Sequence, residues 1–232
     1  MKRSKRYREL LKKIDKTKQY TLDEAIKLLP ELKSAKFDES VEATYVLNVN
    51  PKFADQNIRG VISLPHGTGK TVKVLVFAKG EKAQEAKDAG ADYVGAEELI
   101  DKIAKEGFLD FDVAIATPDM MRFVGKIARI LGPRKLMPNP KAGTVTMDIA
   151  KAVKDFKAGK IEYRVDKTGV IHTIVGKVSF KPEDLKENIL ALTEAILKAR
   201  PASVKGTYLK KMYLALTMSP AIRINVQDLT KK

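Results

Sequence analysis

The residues most suggestive of chemistry lie in SLPHGTGKT, 63 to 71, which closes on Gly69, Lys70 and Thr71 in the manner of a nucleotide-triphosphate-binding loop. Such a loop needs G-x-x-x-x-G-K-S/T, because the first glycine lets backbone amides fold around phosphate and the lysine reaches the terminal phosphates. That glycine would stand where this chain has Leu64. The loop must also open a helix whose N-terminus faces the phosphate, yet Lys70 leads into VKVLVFA, a strand-like run. A glycine-permissive turn crossing between domains is the better reading. The two histidines, His66 and His172, have no metal-ligand spacing to each other or to a cysteine. The carboxylates scatter along helix faces that also carry lysines, as around Glu81 to Glu85 and Glu97 to Asp101, the pattern of solvated faces rather than of an acid/base pair. No Gly-x-Ser-x-Gly or His-Glu-x-x-His occurs, and no G-x-G-x-x-G follows a strand. The sequence therefore offers no catalytic residue and implies neither a metal nor a cofactor.

Composition points to a different kind of work. Of 232 residues 44% are hydrophobic, enough to bury a core, and 44 Lys+Arg against 29 Asp+Glu give a net charge of +15. That charge concentrates polyanions and drives counterion release on binding them, so a nucleic acid is the expected partner. A membrane is not expected: no apolar run approaches the ~20 residues of a spanning helix, and MKRSKRYRELLKKI has no continuous apolar signal core. Absence of cysteine fits a reducing compartment, and a cytoplasmic location is expected. The charge is clustered. Residues 1 to 18 carry nine Lys/Arg against Glu9 and Asp15, and neither 120 to 147 nor 195 to 227 contains an acid. Aromatics are sparse at 6% and tryptophan is absent, which favours backbone and shape recognition over a broad base-stacking platform.

The elements that must position these charges follow from periodicity. Tyr7, Leu10, Leu11 and Ile14 have helical spacing over 4 to 16, and Thr21 with Glu24 forms a capping box for a second helix. SVEATYVLNVN, 40 to 50, alternates as a strand with Val41, Ala43, Tyr45, Leu47 and Val49 on one face. VKVLVFA at 72 to 78 is apolar almost throughout, as in a sheet covered on both faces. From there strands at 72 to 78, 92 to 94 and 112 to 116 alternate with helices at 81 to 89, 96 to 105, 119 to 131 and 148 to 157, the pattern of a parallel sheet with right-handed crossovers. After it come a hairpin around Lys167, Thr168 and Gly169, an amphipathic helix from 182 to 199 with a stripe of Leu185, Ile189, Leu192, Ile196 and Ala199, and strands in TYLKKMYLALTM and AIRINVQ. The strand at 40 to 50 has no near partner, so it pairs with those of the last third. The expected architecture is α/β in two domains: a discontinuous α+β sandwich from residues 1 to 66 and 160 to 232, and an inserted Rossmann-like domain from 67 to 159. Gly67, Gly69 and Gly159 stand at the expected crossings as hinge candidates.

Several long stretches resemble one family. GKIARILGPRKLMPNPKAGTVT at 125 to 146, KFDESVE at 36 to 42, VDKTGVIHTIVGKVSF at 165 to 180, KGTYLKK at 205 to 211 and LTMSPAIRIN at 216 to 225 together resemble the bacterial-type L-one family of large-subunit ribosomal proteins. The resemblance implies a structural, noncatalytic protein that binds bulged helices of large-subunit rRNA. It further implies a mobile stalk that assists release of deacylated tRNA, repression of the protein's own mRNA, and a monomer when free. Positions matching the family's RNA contacts are Lys36, Phe37, Ser40, Glu42, Asp166, Lys167, Thr168, Thr217, Met218 and Ser219, all in the split domain. By residue type alone Phe37 and Met218 are more often core residues, and Asp166 with Lys167 as readily a turn pair. In the inserted domain Arg129, Arg134, Lys135 and Lys141 surround Pro133, Pro138 and Pro140 in a basic loop expected to face tRNA or the second surface of the stalk RNA. Two positions depart from the family pattern. Ser219 replaces the glycine of T-M-G-P, and if that glycine serves close backbone approach or a positive φ, Ser219 must strain or turn differently; Lys135 replaces that of LGPRGLMPNP and adds charge to the inserted domain.

Overall fold

The computed structural model describes residues 3–230; Lys2 of the basic N-terminal run lies outside the described residues. In chain order the elements are α1 (Lys5–Lys12), α2 (Leu22–Leu32), β1 (Ser40–Leu47), β2 (Arg59–Ser63), β3 (Val74–Phe77), α3 (Glu81–Asp88), β4 (Tyr93–Gly95), α4 (Glu97–Glu106) and β5 (Val113–Ala116). Then follow α5 (Met121–Val124), α6 (Ala128–Leu131), α7 (Ile149–Lys157), β6 (Lys160–Arg164), β7 (Val170–Lys177), α8 (Pro182–Lys198), β8 (Leu209–Leu216), β9 (Ile222–Ile224) and α9 (Val226–Thr230). The chain divides into two compact units, one built from both ends, up to Gly69 and from Tyr163 onward, and one from Lys70 to Glu162.

In the split unit β1 sits centrally in an antiparallel sheet of order β7-β1-β8-β9. Its alternation decides what it buries. Val41, Ala43, Tyr45 and Leu47 are at most 3% exposed and face the apolar sides of α2 (Ala25, Ile26, Leu29, Leu32) and α8 (Leu185, Ile189, Leu192, Ile196). Burying each of these larger side chains is worth about 1.5–3 kcal/mol. The Tyr45 hydroxyl lies 3.0 Å from Thr193 Oγ1, which also lies 2.7 Å from the Ile189 carbonyl, so the one polar tip in this layer is satisfied. The capping box at the start of α2 is present, with Thr21 N–H donating to Glu24 at 3.0 Å and Glu24 N–H to Thr21 Oγ1 at 3.3 Å. AIRINVQ, expected as one strand, stops at Ile224. The Asn225 side chain accepts from Gln227 N–H at 3.1 Å and starts α9 instead.

In the inserted unit β4-β3-β5 form a parallel sheet. Leu75, Phe77, Ala114 and Ala116 face one way and pack with Ile100 and Ile103 of α4 and with Val124 and Leu131. Val74, Val76 and Ile115 face the other way, against Ala86 of α3 and Ile149, Val153 and Phe156 of α7. Two covered faces explain why VKVLVFA carries no polar alternation. The helix expected from 119 to 131 is broken into a 3-10 turn, α5, a second 3-10 turn at Gly125–Ile127, and α6. Gly125 sits at the interruption, where its low helix propensity costs least.

The opening Gly-Lys-Thr stretch is a crossing rather than a phosphate loop. No helix follows it; Lys70 and Thr71 lead to β3, and Lys70 Nζ pairs with Asp112. Upstream, Asn188 of α8 is completely buried and fixes the crossing. Its Oδ1 accepts from His66 N–H at 3.1 Å, and its Nδ2 donates to the carbonyls of Gly67 at 2.9 Å and Val175 at 2.8 Å. Asn188→Ala removes the partner of all three backbone groups, of which the Val175 carbonyl is buried, and is expected to cost about 2–4 kcal/mol, read by urea denaturation. A loss under 1 kcal/mol would show that water replaces the amide.

Candidate nucleic-acid interface

The second side of the split unit's sheet is open. Ser40, Glu42, Thr44 and Val46 of β1 alternate with the buried row, and the register sets Glu42 between Ile174 and Ala215 and Thr44 between His172 and Tyr213. Tyr213 in turn lies opposite Arg223 of β9. Glu42, His172 and Ile174 are exposed, and Thr44 Oγ1 lies 3.2 Å from His172 Nδ1.

At one end of this face the chain builds a tight corner. Ser40 N–H donates to Thr217 Oγ1 at 3.1 Å and Thr217 N–H returns to the Ser40 carbonyl at 3.2 Å, bringing together residues 177 positions apart in sequence. Lys177 Nζ reaches Ser40 Oγ at 3.0 Å, and Asp38 receives the Ser179 hydroxyl at 2.7 Å. Beneath them Glu39, fully buried, accepts from the N–H groups of Ser34 and Ala35 through Oε1 and of Met218 through Oε2, each at 2.9 Å. Burial raises its pKa, but the Ala35, Ser34 and Met218 amides and the charge of Arg6 outweigh burial and hold it below the usual carboxylate value. One carboxylate thus ties the Lys36-Phe37 loop to the Thr217-Ser219 turn. Phe37 is 53% exposed and Met218 42%, so neither is a core residue despite its type.

Asp166, Lys167 and Thr168 stand at the other end of the same strands. Ser40 pairs with Lys177 and Val46 with Val170, so about 20 Å of strand separates them from the Phe37 corner. The Asp166 carboxylate organises its own hairpin, accepting from Thr168 N–H at 2.8 Å, Thr168 Oγ1 at 2.7 Å and Val170 N–H at 2.9 Å. Its pKa is lowered: burial raises it, and the Thr168 hydroxyl, the Val170 and Thr168 amides and His172 outweigh that. Lys167 is exposed.

Sequence reasoning gave Glu39 no role. Its partner Met218 is 179 residues away, beyond the reach of any local pattern. The Ser219 departure resolves without strain. Ser219 is not among the positive-φ residues, and its Oγ accepts from Leu216 N–H at 2.9 Å while donating to the Pro220 carbonyl at 3.1 Å, so the side chain itself closes the turn.

In the inserted unit Arg129, Arg134, Lys135 and Lys141 are all exposed, on α6 and the acid-free loop after it. Asn139 stiffens that loop, with Asn139 N–H donating to Thr144 Oγ1 at 2.7 Å and Lys141 N–H to Asn139 Oδ1 at 2.8 Å. Lys135 is the one non-glycine with positive φ among the described residues, at 60°, and its turn lets Leu136 N–H reach the Leu131 carbonyl at 3.0 Å. Left-handed backbone costs a side-chain-bearing residue about 1–2 kcal/mol. Because glycine also loosens the unfolded chain, Lys135→Gly is expected to raise stability by about 0.5–1 kcal/mol, measured as a higher denaturation midpoint. A lower midpoint would mean that the lysine side chain supports the loop.

Gly67, Gly69 and Gly159 have φ of 63°, 70° and 104°, and a Cβ on Gly69 would come within 2.7 Å of the Phe180 ring. The second crossing falls between Glu162 and Tyr163, within β6, so Gly159 lies inside the inserted unit.

Residues 29–220 match the Ribosomal protein L1p/L10e family. The chain belongs to that family. It is similar over 99% of its length to Large ribosomal subunit protein uL1 of Fervidobacterium nodosum, 62% identical with 98% of that protein covered. It is 60% identical to the uL1 proteins of Thermosipho melanesiensis and Thermosipho africanus, with 99% of each chain covered in both cases. Membership of the L1p/L10e family makes this a structural ribosomal protein and not an enzyme, in line with the unbuilt phosphate loop at Lys70.

Proposed function

We propose that this chain is a large-subunit protein whose split unit grips a bulged rRNA helix through the open sheet face, and whose inserted unit forms the outer part of a mobile stalk that assists release of deacylated tRNA. The observation that carries the reading is the corner held by Glu39, where Phe37 and Met218 stand exposed beside Lys36 and Lys177 in a chain of net charge +15. Double-helical RNA hides its base edges in a deep groove and presents 2′-hydroxyls and phosphates, which short hydroxyls and lysines reach while flat apolar groups pack on sugars. Lys36, Ser40 and Thr217 supply the first kind of contact, with Glu42 able to accept from a 2′-hydroxyl, Phe37 and Met218 supply the second, Ser219 holds the turn that presents Met218, and Lys167 with Thr168 adds a further contact at the far end of the face. The same surface would hold a similar fold in the protein's own mRNA and so repress its translation. Gly67 and Gly69, at the first crossing, permit the backbone changes by which the inserted unit swings.

A gel shift with a bulged large-subunit RNA helix and a scrambled control tests the core of this reading. Retention of the bulged helix at concentrations that leave the control free is the expected result, and equal retention of both would contradict it. The basic loop of the inserted unit is assigned to tRNA. Reversing Arg134 and Lys135 to Glu is expected to weaken tRNA contact about tenfold or more while sparing the stalk RNA, because two cations become two anions at a polyanion surface. An unchanged tRNA interaction would remove the assignment.

A further inference from the structure

The split unit carries a second built feature, which the Phe37 corner does not use. Between β8, β9 and the segment after α1 lies a groove of about 900 Å³. Four cations line it, Arg200, Lys210, Lys211 and Arg223, and no carboxylate does. The remaining polar lining is neutral and includes Thr17, Gln19 and Asn225. Arg200 is fixed as a wall, donating to the carbonyls of Val204 at 2.7 Å and Gly206 at 3.0 Å. Lys210 and Lys211 are exposed, and among the described residues neither they nor Arg223 form an ion pair with a carboxylate. Uncompensated cations gathered in a concave wall focus field onto an anion.

The register connects this groove to the open face. Val46 pairs with Lys211, and Tyr213 with Arg223, so Lys211 and Arg223 project from the same side of the sheet as Glu42 and Thr44. Lys211 stands near the start of β8 and Arg223 on β9 opposite Tyr213, whereas Thr217 and Met218 follow the end of β8. A chain lying across the face from the Phe37 corner would run into the groove. Leu197, Tyr208, Leu209, Ile224 and Val226 also line the groove, but its four cations, amides and hydroxyls are what suit phosphate oxygens and 2′-hydroxyls.

We propose that this groove is a second RNA-backbone site, which takes the sugar-phosphate strand flanking the segment held at the Phe37 corner. The inference rests on the reading of the open face as an RNA surface. It differs in chemistry, since the corner contributes shape and apolar contact and the groove contributes charge.

The test is filter binding over a salt series with the bulged helix carrying its natural flanks and with the same helix trimmed to its core. In Lys210→Glu/Lys211→Glu the slope of log affinity against log salt on the flanked RNA is expected to become shallower by about 1.5, with a tenfold or greater loss of affinity near physiological salt. On the trimmed RNA this variant and the unaltered protein should bind alike. Lys210→Gln/Lys211→Gln should give the same shallower slope with a smaller loss, which separates lost contacts from added repulsion. Both pairs are surface residues, and matching thermal unfolding confirms that the fold is intact. Slope and affinity equal to those of the unaltered protein on the flanked RNA would overturn the groove site, as would equal losses on both RNAs. Failure of the corner reading is distinguishable: Phe37→Ala would then bind the trimmed RNA as tightly as the unaltered protein, whatever the lysine variants do.

Discussion

Glu39→Ala is expected to lower stability by about 3–5 kcal/mol, because three backbone N–H groups lose charge-assisted hydrogen bonds and stay buried. The donors belong to Ser34, Ala35 and Met218, so the loss also releases the Lys36-Phe37 loop from the Thr217-Ser219 turn. Few single positions in this chain couple so many distant backbone groups. Urea denaturation followed by circular dichroism reads the effect, and a change below 1 kcal/mol would show that water satisfies the amides. Glu39→Gln should recover part of the loss, since a neutral amide oxygen still accepts.

The same carboxylate fixes a pH dependence. Its folded-state pKa lies below its unfolded value, near 4.5, so the stability it contributes is present above about pH 4.5 and is lost as pH falls through the lower folded value. Glu39→Gln should flatten that acid limb relative to the unaltered protein. An identical acid limb in the variant would assign acid sensitivity to other carboxylates.

The second large effect concerns affinity. Phe37→Ala combined with Met218→Ala is expected to weaken binding to the bulged helix by about 100-fold, on the scale of 1–3 kcal/mol for each buried apolar or stacking contact with nucleic acid, with little change in the salt slope because no charge is removed. Both side chains are exposed in the free protein, 53% and 42%, so truncation should leave thermal stability nearly intact. Full affinity in the double variant would move the RNA surface elsewhere on the molecule.

What could be read from the sequence was whatever a local period encodes. The alternation of Val41, Ala43, Tyr45 and Leu47, the two-faced burial of VKVLVFA and the stripe on α8 each follow from repeats of two or about four residues, and each appears in the fold. The long-range pairing of β1 with β7 and β8 was legible only by elimination, since nothing nearby could partner it. Within the site, residue types gave Phe37 and Met218 no sign of exposure, whereas the turn reading of Asp166 with Lys167 is met by the bonds of its carboxylate to Thr168 and Val170. Glu39 and Asn188 stayed hidden for a common reason. A buried polar side chain that satisfies remote backbone groups looks in sequence like any surface acid or amide, and only the assembled fold supplies its partners. Lys135 and Ser219 show the converse: two substitutions at family glycines resolve differently, one by accepting a φ of 60° and one by using its hydroxyl to close the turn.

The central claim is that RNA lies against the corner where Phe37 stands. A photoreactive phenylalanine analogue at that position, irradiated in complex with the bulged large-subunit helix, tests it most directly. A cross-link confined to nucleotides around the bulge and abolished by excess unlabelled helix is the expected result. Absence of any cross-link from a variant that still retards the helix in a gel would contradict the account.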